Sequence, residues 1–126
     1  MVVVPAAAAA TTVPIGVFRT KITNADLKRA GVSDVAENHG TYTLKLLPKG
    51  RWTFHQVAPN PLSEPDHTGT YVPTKQGIRF TDSGFAVAFT ARLSFTGSQL
   101  RFKILSADIP ELRVIFGAHP WKKIRN

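Results

Sequence analysis

Hydrophobic residues fall on alternate positions over several stretches of this chain, and glycines mark where the stretches turn. Tyr42, Leu44 and Leu46 share one parity while Thr41, Thr43 and Lys45 share the other, the period of two expected of a half-buried strand. After Pro48-Lys49-Gly50 the pattern resumes with Trp52, Phe54 and Gln56. Gly69-Thr70-Tyr71 opens a second unit of this kind, which passes through Gln76-Gly77 into Ile78-Arg79-Phe80. A third, Ala91 to Leu105, turns at Gly97-Ser98 and continues as Leu100-Arg101-Phe102. Each unit reads as strand, tight turn, strand, with aromatics on one face and Thr, Arg or Lys on the other. Successive hairpins predict an up-and-down meander, and a meander that closes is a barrel with a one-sided apolar lining.

The remaining segments fill out this picture. Val13 to Thr20 reads as a first strand. It is followed by a helix start: Thr23 can cap, Asp26 falls at the third helical position, and Ile22 can staple onto Leu27. Gly31 ends that helix, with Val32 placed for the accompanying apolar contact. So short a helix must dock on something, and one mouth of the barrel is the natural place. Ser33 to His39 is a polar connection that can hold a further helical turn, and Val57 to Thr68 is the longest loop. Pro73 suits a strand end. Phe85, Val87, Phe89, Leu93 and Phe95 belong to one long strand with a bulge or bend near Ala91, partnered by Leu100, Phe102 and Ile104. Leu112 to Phe116 reads as the closing strand, after which His119-Pro120-Trp121 finishes the fold with Trp121 packing back onto the barrel. The expected class is all-β: an antiparallel up-and-down barrel of about eight strands with one short N-terminal helix, a size that can hold one small ligand.

The paired Gly-Thr-Tyr strands, their Gly-x-Trp and Gly-x-Phe partners, the helix between the first two strands and the terminal His119-Pro120-Trp121 together resemble bacterial lipocalin-like, or calycin-like, domains over roughly residues 14–124. The Gly-x-Trp of lipocalins lies on the first strand, whereas Gly50-Arg51-Trp52 lies on the third, which argues against the secreted transport lipocalins. In size and architecture the chain is also similar to barrel-shaped polyketide cyclases. These resemblances imply a container for a hydrophobic small molecule, either a carrier or a cofactor-free cyclase or isomerase.

A length of 126 residues suits one domain, with residues 1–12, three Val, one Pro and five Ala among them, as a flexible or surface-docked arm and 13–126 as the barrel. The small residues at 6–10 resemble a signal-peptide cleavage region, but no Lys or Arg precedes them. A cytoplasmic location is therefore preferred over secretion. No apolar run approaches the roughly 20 residues of a membrane-spanning helix. The absence of cysteine excludes disulfides, thiolate nucleophiles and zinc ribbons, and four scattered histidines predict no metal site. No P-loop, dinucleotide fingerprint, nucleophile elbow or HExxH occurs, and no cofactor is expected. The net charge of +8 has two readings, attraction to an anionic partner or a solvated exterior. The second is preferred, because Lys45, Arg51, Arg79, Arg92, Arg101 and Lys103 sit at outward positions spread over several strands, and only Lys122-Lys123-Ile124-Arg125 is a local cluster.

Candidate chemistry lies on the inward parity. Tyr42, Gln56 and Tyr71 are polar groups on faces otherwise built from Leu, Val, Ile and Phe, and a buried polar group must find a partner. They are the candidate catalytic residues. With Leu44, Trp52, Phe54, Phe80, Phe89 and Phe102 they form the candidate ligand-binding set, since pockets combine apolar walls with a few convergent polar groups. The competing view is that the rings fill a solid core. Glu64, Asp66 and His67 could pair on their Pro-rich loop, though residues so close in sequence rarely converge; His55 should point outward. A cyclase would act by holding a near-attack conformer while Tyr or Gln polarises a carbonyl. A non-catalytic binding barrel is the alternative. A basic nucleic-acid-binding barrel ranks third, because its stacking aromatics would have to lie outside. An oligomer is compatible with all three.

Overall fold

The computed structural model describes residues 13–32, 39–57, 67–84 and 87–126. The expected arm at 1–12 and the possible helical turn after Ser33 lie outside them. Eight strands run β1 (Gly16–Ile22), β2 (Gly40–Leu47), β3 (Arg51–Val57), β4 (His67–Pro73), β5 (Ile78–Asp82), β6 (Val87–Thr96), β7 (Gln99–Ala107) and β8 (Trp121–Arg125). They pair antiparallel in chain order, and β8 returns to β1 to close the barrel. Two helices are inserted: α1 (Asn24–Arg29) after β1 and α2 (Pro110–Gly117) between β7 and β8.

Closure turns the two-residue period into an inside and an outside. Across each ladder, residues of like parity face each other: Phe18 with Leu44, Leu44 with Phe54, Tyr71 with Phe80, Phe80 with Phe89. All of these are buried. Lys45, Arg51, Arg79, Arg92, Arg101 and Lys103 are exposed on the opposite parity, as expected. A register shift also falls near Ala91 as expected: the β6–β7 pairing moves from Thr90–Ser106 to Ala91–Ile104, so the extra residue is Leu105 on β7.

The two ends of the barrel differ. β2–β3, β4–β5 and β6–β7 join by short turns at one end, where Lys49, Gly50 and Gly97 take positive φ. The other four connections, which include both helices and the two longest loops, leave from the other end. Gly69 shows why the Gly-Thr-Tyr units begin with glycine: a Cβ there would run into the Thr81 carbonyl and the Trp52 indole.

The prediction for 112–116 was wrong. That stretch is the helix α2, and the eighth strand is the basic tail Trp121–Arg125. Pro110 stands in the first turn, where its fixed φ starts a helix, and Val114, Ile115 and Phe116 are buried by tertiary packing that overrides their strand preference. Phe116 reaches into the barrel, with ring centroids 4.5 Å from Phe89, 5.3 Å from Phe54, 5.4 Å from Phe102 and 5.5 Å from Trp121. The Trp121 indole N–H donates to the Phe116 carbonyl at 3.2 Å, fixing helix to strand. Trp121 is fully buried and so does pack into the barrel, as a strand residue rather than as a trailing cap. Truncating Phe116 to Ala should lower the unfolding free energy by about 3–5 kcal/mol, read from urea denaturation of the variant beside the parent chain.

Candidate functional site

Every residue of the inward candidate set is buried, but the three polar ones do not converge. Tyr42 and Gln56 face each other across the β2–β3 ladder at the loop-bearing end. Tyr71 belongs to the tight-turn end, where its hydroxyl donates to the Leu47 carbonyl at 2.6 Å and its backbone N–H to Gly50 at 2.8 Å. The Gln56 side-chain amide donates to the His39 carbonyl at 3.0 Å, which ties the start of β2 to β3. Burial pushes the Tyr42 and Tyr71 phenols above their ordinary value of 10.0, so near neutral pH each is a hydrogen-bond donor rather than a base.

The apolar members occupy the middle of the barrel. Phe80 stacks on Phe89 at 4.9 Å, Trp52 meets Phe80 edge-on at 6.2 Å, and Phe102 lies 5.8 Å from Phe80. Together with Phe116 and Trp121 they form a continuous run of rings through the interior. Spacings of this kind are those of favourable stacked and edge-to-face pairs.

Two carboxylate–histidine pairs at the loop-bearing end were not anticipated. His67, the first residue of β4, shares the parity of Gly69 and Tyr71, and Asp82, the last of β5, shares that of Ile78 and Phe80. Both therefore face inward, and His67 Nδ1 lies 2.7 Å from Asp82 Oδ2. Asp82 Oδ1 also accepts from the Gly84 N–H at 2.8 Å, which orients the carboxylate and starts the turn. The Phe54 ring meets the His67 imidazole edge-on at 5.4 Å. Parity alone would have located this pair, had His67 been counted with β4 instead of with Glu64 and Asp66, which lie outside the described residues. His55, on the other parity of β3, pairs with Thr43 and stays off the interior, as expected.

The second pair is Asp26 with His119, whose Nε2 lies 2.9 Å from Asp26 Oδ2. The same carboxylate accepts from the Thr23 backbone N–H at 2.9 Å, while the Thr23 hydroxyl accepts from the Asp26 N–H at 3.2 Å, completing a capping box on α1. Arg29 adds a contact at 3.6 Å from the solvent side. Asp26 thus clasps α1 to the segment that joins α2 to β8. Its burial favours the neutral acid, but the Thr23 N–H, His119 and the Thr23 hydroxyl outweigh that and hold the carboxyl below its ordinary value.

No family model, curated protein or solved structure matches this chain. The calycin-like resemblance accordingly rests on the closed eight-stranded antiparallel barrel itself, which is consistent with a lipocalin-like architecture. No helix among the described residues is long and apolar enough to cross a membrane.

A depressed carboxylate stabilises the fold above its unfolded value, and that contribution is lost as pH falls through the lower folded value. Asp26→Ala should therefore cost about 1–3 kcal/mol at pH 7. The gap between variant and parent should close only below the ordinary aspartate value of 3.8, as followed by chemical denaturation across an acid pH series.

Proposed function

We propose that this protein binds a small, largely apolar molecule at the loop-bearing mouth of its barrel, with the His67–Asp82 pair receiving a polar group of that molecule. The observation that carries this reading is the inward 2.7 Å contact between His67 and Asp82 beside the Phe54 ring. An imidazole and a carboxylate on the apolar side of a strand pair must be compensated, and their placement at a mouth gives a ligand access to them. Phe54 offers the apolar wall, with Gln56 further along the same strand and Tyr42 opposite Gln56 on β2. The ring-filled middle of the barrel favours a ligand seated at the mouth over one engulfed at the centre.

The same pair supports a second reading, a cofactor-independent isomerase or cyclase. A histidine hydrogen-bonded to a carboxylate is a base with its orienting group: Asp82 holds the Nδ1 side of the ring and stabilises the imidazolium formed when Nε2 takes a proton. Confinement at the mouth would add positioning, and no metal or nucleophile is needed for proton abstraction next to a carbonyl.

Titration with 1-naphthol and with naphthalene, followed by Trp fluorescence and amide NMR shifts, tests the binding reading. The expected result is saturable binding with the naphthol held about tenfold tighter, a preference of roughly 1.4 kcal/mol that His67→Ala and Asp82→Asn abolish. Equal affinities for the two compounds, or shifts that avoid β4 and β5, would sink the idea. The catalytic reading predicts that the parent chain, and not His67→Ala, speeds exchange of the α-protons of 2-tetralone in D2O.

A further inference from the structure

We propose a separate binding site on the outer wall of this barrel, for a small organic anion that joins a phosphate or carboxylate to an apolar body. Strands β7 and β8 pair through only Gln99–Lys122 and Leu100–Trp121. Beyond Leu100 the chain of β7 is met by α2 instead, and a groove of about 620 Å3 opens along β6, β7 and the C-terminal half of α2. That volume lies in the range of sites for single small molecules.

The charges lining this groove are one-sided. Arg92, Arg101, Lys103 and Arg113 line it together with His119, and no Asp or Glu among the described residues does. His119 is held by Asp26. The ion pairs of the described residues involve Arg29, His67 and His119, so the other four cations have no carboxylate partner among them. Arg92 and Lys103 moreover stand directly opposite each other in the β6–β7 ladder, and Arg101 is opposite Ser94 two positions on, on the same face. Like charges placed directly across a ladder destabilise a sheet. The Arg92 Nε–H donates to the Gln76 carbonyl at 3.1 Å on the β5 side of its strand, which anchors the guanidinium at one edge of the groove. Breaches of local rules of this kind gather where a protein binds something.

The groove also dictates an orientation. Half-buried Leu93 and Ile104 contribute apolar surface, and a Cβ on Gly117 would come within 3.2 Å of Ile104 Cγ1, so glycine keeps that end open. The carboxyl end of a helix repels anions. The acidic group therefore belongs over Arg92, Arg101 and Lys103, with the apolar body extending toward Gly117 and Ala118. A nucleic acid is the less suitable occupant: the aromatic ring of the groove, Phe102, is only 5% exposed and offers no stacking face.

The test compares 1-naphthyl phosphate, 1-naphthoate and uncharged 1-naphthol by amide NMR shifts on the full chain. The expected result is saturable shifts of Arg101, Lys103 and Gly117 with the two anions and not with the naphthol, weakening as salt is raised from about 50 to 300 mM. The relative affinity of the two anions separates a phosphate site from a carboxylate site. Lys103→Met and Arg92→Met should each weaken anion binding about tenfold while leaving thermal stability level or raised, because each relieves the cross-strand repulsion. Unchanged affinity in both variants, or a fall in their melting temperature, would overturn the proposal. So would oligo-dT displacing 1-naphthyl phosphate at lower concentration than inorganic phosphate does. Shifts confined to His67 and Asp82 would also count against this site, without touching the reading of the mouth.

Discussion

Phe116 is the ring around which the barrel closes. Its partners come from four different strands: Phe54 on β3, Phe89 on β6, Phe102 on β7 and Trp121 on β8. The β7–β8 ladder contributes just two residue pairs, so on that side the final strand is held by few main-chain hydrogen bonds, while its other edge pairs with β1. Aromatic contact supplies what the ladder lacks, since each buried ring contributes large apolar area and a favourable geometry besides. A helix that sends one phenylalanine inward thus does the work of several missing strand pairs. It also packs against β7 where β8 does not pair with it, and the groove opens beside that contact.

That arrangement divides the molecule by length of connection. At the tight-turn end the polar groups serve the fold: Tyr71 satisfies the Leu47 carbonyl, and the Trp52 indole N–H donates to Thr70 at 3.0 Å. At the loop-bearing end, longer connections place titratable groups side by side, His67 with Asp82 and His119 with Asp26. The two pairs look alike but sit differently. Asp26 is drawn into a capping box and a helix clasp, which accounts for its bonds structurally. Asp82 and His67 sit on opposing strand ends with their side chains toward the interior, where a structural need for a carboxylate–histidine pair is harder to supply. That difference is why the proposed ligand site is His67–Asp82.

Much of this was legible in the sequence wherever the period of two ran unbroken. Inward Leu44, Phe54 and Phe80, outward Lys45 and Arg79, the bulge at Ala91 and the Thr23–Asp26 helix start all follow from patterns local to a few residues. What was not legible depended on partners distant in the chain. Leu112 to Phe116 has the composition of a strand, and only the barrel interior waiting for Phe116 makes it a helix; the lysine-rich tail then becomes β8 because β1 and β7 leave an opening for it. Tyr42, Gln56 and Tyr71 shared a parity, but parity records which face a residue occupies and not how far along the barrel it lies. Height is set by register, so Tyr71 was grouped with residues at the other end.

The same distinction governs charge. Read along the chain, Arg92, Arg101 and Lys103 are isolated outward residues, each an ordinary solvated side chain. The hairpin folds Arg92 onto Lys103, and α2 brings Arg113 up to the same face. Water screens such a cluster only in part, because the helix walls one side of it and field lines concentrate in a concave, low-dielectric surface. The free-energy cost of holding these cations together is borne by the folded protein. A net charge of +8 therefore means less than where the hairpins bring it together.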